Sequence, residues 1–293
     1  MSRVCIINVV GMTPRLLEHA PTLFALAGKP SQDQLASGTA RFTPWTAPYP
    51  AVTCTSQATM LTGKPPSEHG IVGNGWYYSD TQEVRFWQQA RSLIQAPTFY
   101  DGFETAKMFW WFNQSSSARY SCTPKPHYGC DGSKEFDVLD RTECDLTEKL
   151  GPFPFFTFWG PGAGLPCSQW IANATALVMK THRPEVTLAY LPHLDYDFQR
   201  LDHQDPARVA EVDECCETIV RAAEAIDASV VVVSEYGLVP VQTPVHLNRV
   251  LRQAGLLAVR DGPFGEMLIP GQSRAFAVAD HQIAHVYLND ESA

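Results

Sequence analysis

The sequence predicts an α/β fold, a doubly wound and mostly parallel sheet flanked by helices. Residues 4–10 form a run that is apolar except for Asn8, which is typical of a strand buried on both faces of a parallel sheet. Further apolar runs, such as 186–191 and 229–233, alternate with stretches of helical periodicity, such as 206–226. The 293 residues and the 45% apolar content are enough for one large domain with a sizeable core.

The first half of the chain is expected to follow the strand–helix alternation. A helix with Pro14 at its first position follows the first strand. A second helix is expected to begin at Thr53 and to stop at Gly63. We also predict a helix over 81–94 and a buried strand over 106–112.

Residues 113–166 break this alternation, because proline, glycine, serine and aromatic residues interleave there. We predict that 1–293 is a single domain and that 113–166 is an inserted cap or lid that shapes a substrate pocket. The alternative is an irregular surface excursion packed by its own aromatic side chains.

The second half of the chain returns to the alternation. Asp205 is a candidate cap for the helix that starts at Pro206. The predicted helices are 168–182, 206–226 and 245–254, and the predicted strands are 186–191, a central strand at 229–233, then 256–259, 275–279 and 285–288.

Charge and composition exclude several classes of function. The formal net charge is −9 and no long lysine or arginine run occurs, so a nucleic-acid partner is not expected. The apolar run at 4–10 is too short for a signal peptide, and no stretch has the length of a membrane span. None of the eight cysteines forms a C-x-x-C pair, and we expect reduced thiols in a cytoplasmic protein. The oligomeric state stays open.

Local features place Thr53 at a loop-to-helix junction. Pro48 and Pro50 keep the approach extended, and free backbone N–H groups at a helix N-terminus favour an anion beside it. A hydroxyl at this point is a candidate nucleophile on a phosphoryl group. A helix cap with no chemistry fits the same local features.

The run from 50 to 63, followed by Pro66-Ser67-Glu68-His69-Gly70-Ile71-Val72-Gly73-Asn74, resembles a known nucleophile segment. It is similar to that of the type I phosphodiesterase/nucleotide pyrophosphatase branch of the alkaline phosphatase superfamily. The resemblance implies an alkaline-phosphatase-type fold in which Thr53 is the nucleophile. It also implies that Ser56 stands at the position of a residue that holds a phosphate oxygen. Cys54 could compete as the nucleophile, but packing is the favoured explanation of a neutral thiol beside Thr53.

Two later segments resemble the metal-binding motifs of this family. Residues 190–199 are similar to Y-x-x-x-x-D-x-x-x-H, with Asp195 at the aspartate and Gln199 in place of the histidine. Residues 233–238 are similar to S-D-H-G-M, with Glu235 at the aspartate and Tyr236 in place of the histidine. The resemblance implies metal ligation by Asp195, Glu235 and Gln199, whereas Tyr236 is a candidate hydrogen-bond donor to a phosphate oxygen.

The remaining ligand positions depart further from the family pattern. Val10 stands where the family has a metal-binding aspartate, and an apolar side chain cannot bind a metal. The family's last ligand is a late histidine, and we expect that this chain lacks the corresponding C-terminal portion. His281, together with Asp280, is the candidate replacement ligand. His193 and His203 are further substitutes on proximity alone.

The sequence thus predicts a metal-dependent hydrolase of phosphodiester or pyrophosphate bonds. Its cofactor would be a divalent metal, zinc in the family, as one or two ions, and its partner a small phosphorylated substrate. Another interpretation is a non-catalytic or one-metal relative that binds a phosphorylated metabolite or a partner protein. A one-metal transferase or a phosphonate hydrolase is a third.

Overall fold

The computed structural model describes residues 2–29, 45–200 and 204–289, which are built around a six-stranded sheet. Across the sheet the strands are β6 (Lys134–Asp140), β5 (Tyr120–Tyr128), β4 (Thr105–Met108), β7 (Val186–Leu191), β1 (Arg3–Val9) and β8 (Ala228–Val233). All neighbouring strands are parallel except β5 and β6. The predicted α/β class with a mostly parallel sheet is confirmed.

Helices pack around this sheet. Those in the described residues are α1 (Pro21–Leu26), α2 (Thr53–Thr62), α3 (Pro66–His69), α4 (Leu146–Leu150), α5 (Leu165–His182), α6 (His193–Arg200), α7 (Pro206–Ala225) and α8 (Leu247–Gln253), with short 3₁₀ turns at Pro14–His19, Arg91–Leu93, Phe155–Thr157 and Pro270–Gln272. The long helices α5 and α7 pack against each other, and α1 packs on α7. Asp205 caps α7 as predicted, by accepting a hydrogen bond from the Ala207 N–H.

Three two-stranded antiparallel ribbons lie outside the sheet. They are β2 (Gly75–Tyr78) with β3 (Glu83–Phe86), β9 (Val259–Gly262) with β10 (Gly265–Leu268), and β11 (Ala275–Asp280) with β12 (Ile283–Leu288). The helix predicted over 81–94 is therefore wrong. Aromatic and β-branched residues on both sides of a polar turn favour a hairpin there, with only a 3₁₀ turn after it.

Part of the segment predicted as a cap belongs to the sheet. Residues 120–140 supply β5 and β6, the two strands at one edge, so the irregular reading of 113–166 is wrong for this portion. Pro124 and Pro126 are tolerated in β5 because they lie beyond residues 120–122, which pair with β4, so that part of β5 has a neighbouring strand on one side only. The strand predicted as central at 229–233 is β8, which forms the opposite edge.

The turn after β4 differs from the predicted strand over 106–112. The strand ends at Met108, and both Phe109 and Phe112 have positive φ, so the chain reverses within the aromatic run. The buried Lys107 amine supports the turn by donating to the Phe112 carbonyl at 2.9 Å. Burial lowers the pKa of Lys107 well below its ordinary value. This turn presents the Trp111 N–H to the functional site.

No helix of the described residues is long and apolar enough to cross a membrane. All eight cysteines are free, and only Cys130 is exposed.

Candidate active site

The candidate site lies where the carboxyl ends of β1, β7 and β8 meet. Asn8 on β1 is in register with Tyr190 on β7 and with Val233 on β8. The chain leaves β7 into α6, which carries Asp195, and leaves β8 directly into Glu235. Because parallel strands end at the same edge of the sheet, these polar side chains are brought together.

Helix α2 contributes its N-terminus to this edge. The helix begins at Thr53, as predicted, and Val52 before it is extended. The N–H of Cys54 donates to the side-chain oxygen of Asn74 at 2.8 Å. Asp280 in turn accepts from the Asn74 backbone N–H at 2.7 Å and from its amide nitrogen at 3.0 Å. Both Asp280 oxygens therefore anchor Asn74 and, through it, the start of α2.

Thr53, Tyr236 and Asp195 form a continuous hydrogen-bond chain. The Tyr236 hydroxyl donates to Asp195 Oδ1 at 3.2 Å, and the Thr53 hydroxyl lies 3.0 Å from the Tyr236 oxygen. A phenol has a single O–H hydrogen, so Thr53 is the donor to Tyr236. Burial raises the pKa of Tyr236 well above its ordinary value, which keeps the phenol protonated.

Asp195 is almost fully buried and both of its oxygens accept hydrogen bonds. Its second oxygen accepts from the Gln199 amide nitrogen at 2.8 Å. Burial raises the pKa of Asp195, against the hydrogen bonds from Gln199 and Tyr236, which lower it. Gln199 does lie beside Asp195, but it presents N–H to the carboxylate rather than an oxygen to a cation.

Glu235 is fully buried behind Thr53 and is held by two amides. Its Oε1 accepts from Gln57 at 2.6 Å and from Asn8 at 2.7 Å. The backbone N–H of Trp111 donates to the Gln57 side-chain oxygen at 2.7 Å. This contact directs the Gln57 side-chain nitrogen towards Glu235. Burial raises the pKa of Glu235 to about 8, although the hydrogen bonds from Gln57 and Asn8 lower it. Glu235 Oε2 is buried without a hydrogen-bond partner.

Of the other two predicted site residues, His281 lies at the cleft and Ser56 does not. His281 lies at the cleft with Asp195, Gln199 and Tyr236. Ser56 is fully buried, and its hydroxyl has no hydrogen-bond partner and no access to the cleft.

Of the two histidines proposed as substitutes, only His193 lies in the described residues. His193 is buried without a hydrogen-bond partner, and burial lowers its pKa to about 4. His203 lies outside the described residues. The Cys54 thiol is buried, and burial followed by the charges of Glu235 and Asp280 raises its pKa well above its ordinary value. A thiol held neutral in this way is a poor nucleophile.

A small cleft opens beside the start of α2. It is lined by Ala51, Val52, Asp195, Gln199, Tyr236, Leu238, His281 and Gln282. Trp87 stacks obliquely on Trp111 at 5.3 Å and approaches His281 edge-on at 6.4 Å, which gives the site an aromatic flank. No lysine or arginine of the described residues lines this cleft.

The sequence over residues 4–293 matches the family model of type I phosphodiesterase / nucleotide pyrophosphatase. The chain belongs to this family. The expected class, a phosphodiesterase/nucleotide pyrophosphatase-like hydrolase, is confirmed at the family level. Among curated proteins, no relative matches this sequence.

Solved structures of other proteins share the fold of this family member at low sequence identity. Phosphonoacetate hydrolase from Sinorhizobium meliloti 1021, in complex with phosphonoacetate, has a TM-score of 0.62 and 15% identity, over 99% of this chain and 70% of that chain. Murine ectonucleotide pyrophosphatase / phosphodiesterase 5 has a TM-score of 0.50 and 12% identity, over 80% of this chain and 57% of that chain. These likenesses show the shared fold, and the resemblance to the type I phosphodiesterase / nucleotide pyrophosphatase family is confirmed by the family model.

Members of the family are metal-dependent, with zinc as the family's metal, but the residues of this site do not fit a two-zinc centre. No group of three or more His, Cys, Asp or Glu side chains in the described ranges could hold a metal ion. Asn8 and Gln57 approach Glu235 with N–H donors, and Gln199 does the same to Asp195. Each of these donors takes up a lone pair of a carboxyl oxygen, whereas Glu235 Oε2 accepts no hydrogen bond.

Several residues of this network escaped the sequence reasoning. Asn74 lies within the motif that carried the family resemblance, and Asp280 was considered only as a ligand. Gln57 lies within the nucleophile segment, but no spacing or charge pattern marked it as a partner of Glu235. These contacts join residues 54 with 74, 74 with 280, and 57 with 235, so no local pattern encodes them.

Proposed function

We propose that this protein hydrolyses phosphodiester-type bonds through a covalent intermediate on Thr53. The observation that supports this proposal is the position of Thr53. Thr53 is the first residue of α2, and its hydroxyl is hydrogen-bonded to Tyr236. It lies beside the cleft, which the preceding residue, Val52, lines. The positive end of the helix dipole favours a phosphoryl anion there.

The charges around the cleft favour a diester over a monoester. Asp195 lines the cleft and no described lysine or arginine does. A phosphodiester carries one negative charge, whereas a phosphate monoester carries nearly two at neutral pH. The smaller charge is repelled less by Asp195, so a small phosphodiester or a pyrophosphate-linked compound with a shielded end is the favoured substrate class.

The first test compares Thr53→Ala with Thr62→Ala, using bis(p-nitrophenyl) phosphate as the diester and p-nitrophenyl phosphate as the monoester. Thr62 is at the other end of the same helix, and its hydroxyl bonds only to the backbone and to no residue of the site. We expect Thr53→Ala to lower kcat/KM for the diester by at least about a thousandfold, while Thr62→Ala stays near the wild type.

Two results would contradict the proposal. Diester turnover that survives in Thr53→Ala would rule out Thr53 as the nucleophile. Binding of a phosphorylated compound without turnover would instead favour the non-catalytic relative, which would use the same helix terminus only to hold an anion.

A further inference from the structure

We propose that Tyr236 and Asp195 activate Thr53 by a proton relay, and that the reaction at this site does not require a metal ion. This inference rests on the proposed role of Thr53. It assigns Tyr236 as a catalytic residue that touches the nucleophile and Asp195 as the final proton acceptor.

The direction of the hydrogen bonds supports the relay. Tyr236 gives its only hydroxyl proton to Asp195, so its oxygen lone pair is free to accept the Thr53 proton. Tyr236 therefore cannot also donate to a phosphate oxygen, which was the role expected from the sequence. A nucleophile, a proton acceptor and a third group that orients the acceptor are the general arrangement of activated hydroxyl nucleophiles.

The amide contacts supply the second argument. In this chain neutral amide side chains donate to the carboxyl groups of Asp195 and Glu235. Gln199 stabilises Asp195, while Asn8 and Gln57 stabilise Glu235. Gln57 is itself oriented by the Trp111 N–H, so its contact is built into the fold. Both oxygens of Asp195 and Oε1 of Glu235 are thus satisfied by hydrogen bonds from the protein, while Glu235 Oε2 has no partner.

The chemical steps balance without a further reactant. As the Thr53 oxygen forms its bond to phosphorus, its proton passes to the Tyr236 oxygen and the Tyr236 proton passes to Asp195. The bond from phosphorus to the leaving alcohol breaks, and the alkoxide keeps the electron pair and takes a proton from solvent. Water then attacks the phosphorylated threonine and releases one proton to solvent. Asp195 returns its proton through Tyr236 to the Thr53 oxygen.

The test measures diester turnover in the wild type, Tyr236→Phe and Tyr120→Phe. Tyr120 on β5 is a matched control, because its hydroxyl also donates to a carboxylate, Glu104 Oε1 at 2.8 Å, and β5 is separated from β1 and β8 by β4 and β7. Each protein is assayed after exhaustive EDTA treatment in metal-free buffer, and again with added zinc or manganese. Thermal melts establish that the variants are folded.

The relay predicts that EDTA treatment leaves wild-type turnover unchanged. It predicts that Tyr236→Phe lowers kcat by about a hundredfold or more, with KM little changed, because positioned proton transfer contributes about 10²- to 10⁴-fold. Tyr120→Phe should behave as the wild type. A solvent deuterium isotope effect on kcat should be present in the wild type and diminished in Tyr236→Phe, which a purely structural role would not produce.

Several outcomes would overturn the relay. Turnover that EDTA abolishes and zinc restores, with Thr53→Ala inactive, would leave the Thr53 assignment standing and replace the relay by metal activation. A Tyr236→Phe variant with wild-type kcat would remove Tyr236 from the mechanism. Turnover that persists in Thr53→Ala, or a wild type with no turnover in any condition, would end both the relay and the proposed function.

Discussion

At the scale of single residues, Glu235 has the most unusual environment in the site. Its carboxyl is fully buried, one oxygen accepts from Asn8 and Gln57, and the other has no partner. With its pKa raised by burial to about 8, the side chain is mainly neutral near neutral pH. The partnerless oxygen then carries the proton, which removes the cost of an unpaired buried charge.

This environment predicts a pH-dependent stability. The folded-state pKa lies above the ordinary value of 4.5, so the folded state binds the proton more tightly than the unfolded state does. Stability from this group is therefore complete below pH 4.5 and declines as the pH rises towards about 8. Glu235→Gln, which cannot ionise, should melt with a smaller decrease in Tm than the wild type between about pH 5 and about pH 8.

The control for this prediction is Glu148→Gln, a substitution of the same kind at an exposed position in α4. It should retain the wild-type slope of Tm against pH. Asp195, whose pKa burial also raises, is present in the wild type and in both variants, so its own effect on the slope of Tm against pH is common to all three. Identical slopes for the wild type and Glu235→Gln would show that Glu235 ionises normally in the folded protein.

At the scale of elements, the start of α2 is fixed from two distant segments. Asn74 follows the turn after α3 and accepts from Cys54 N–H, while Asp280 at the end of β11 holds Asn74 by two hydrogen bonds. Gly73 is packed tightly here, since a Cβ at this position would lie 3.2 Å from Asp280 Oδ2. The arrangement places Thr53 at a defined distance from Tyr236 without any covalent constraint.

Asp280→Ala should therefore lower both stability and turnover. Two donors of Asn74 would be left unpaired, each at a cost of about 1–3 kcal/mol, and the start of α2 would lose its anchor. Asp213→Ala is the matched control, because Asp213 accepts from the Thr22 and Leu23 N–H groups at the start of α1, away from the site. Melting and steady-state kinetics should show a lower Tm in both variants, and a lower kcat only in Asp280→Ala.

Two results would contradict the prediction for Asp280→Ala. Wild-type kcat in Asp280→Ala would show that the anchor does not position Thr53. An equal loss of kcat in Asp213→Ala would show that general destabilisation, rather than the anchor, controls turnover.

The elements also show where sequence reasoning succeeds. Helices α2 and α7 begin where predicted, because proline, aspartate and glycine signals act locally. The helix predicted over 81–94 covers β3 and the 3₁₀ turn after it, and the polar residues of this short segment imitate helical spacing. Strands β5 and β6 were missed because their proline and exposed aromatic residues lack a buried strand's apolar pattern.

At the scale of the whole molecule, the sheet determines which residues meet. The order β7, β1, β8 gathers Asp195, Asn8 and Glu235 at one edge, and α2 adds Thr53 and Gln57. The sequence was sufficient for the fold, the family and the positions of Thr53, Asp195 and Glu235. It was insufficient for the partners of these side chains. An amide side chain donates to a carboxyl group only when the tertiary structure brings the two together. The spacing of these residues in the sequence does not indicate such a contact.

In the proposed mechanism Thr53 receives the phosphoryl group, with Tyr236 and Asp195 as its activating partners. The most direct test is to mix EDTA-treated protein with bis(p-nitrophenyl) phosphate, quench with acid within one turnover, and map the adduct by peptide mass spectrometry. We expect a nitrophenyl-phosphoryl adduct on Thr53 that accumulates much more slowly in Tyr236→Phe. An adduct on Cys54, or no adduct on Thr53 while p-nitrophenol is released, would contradict the account.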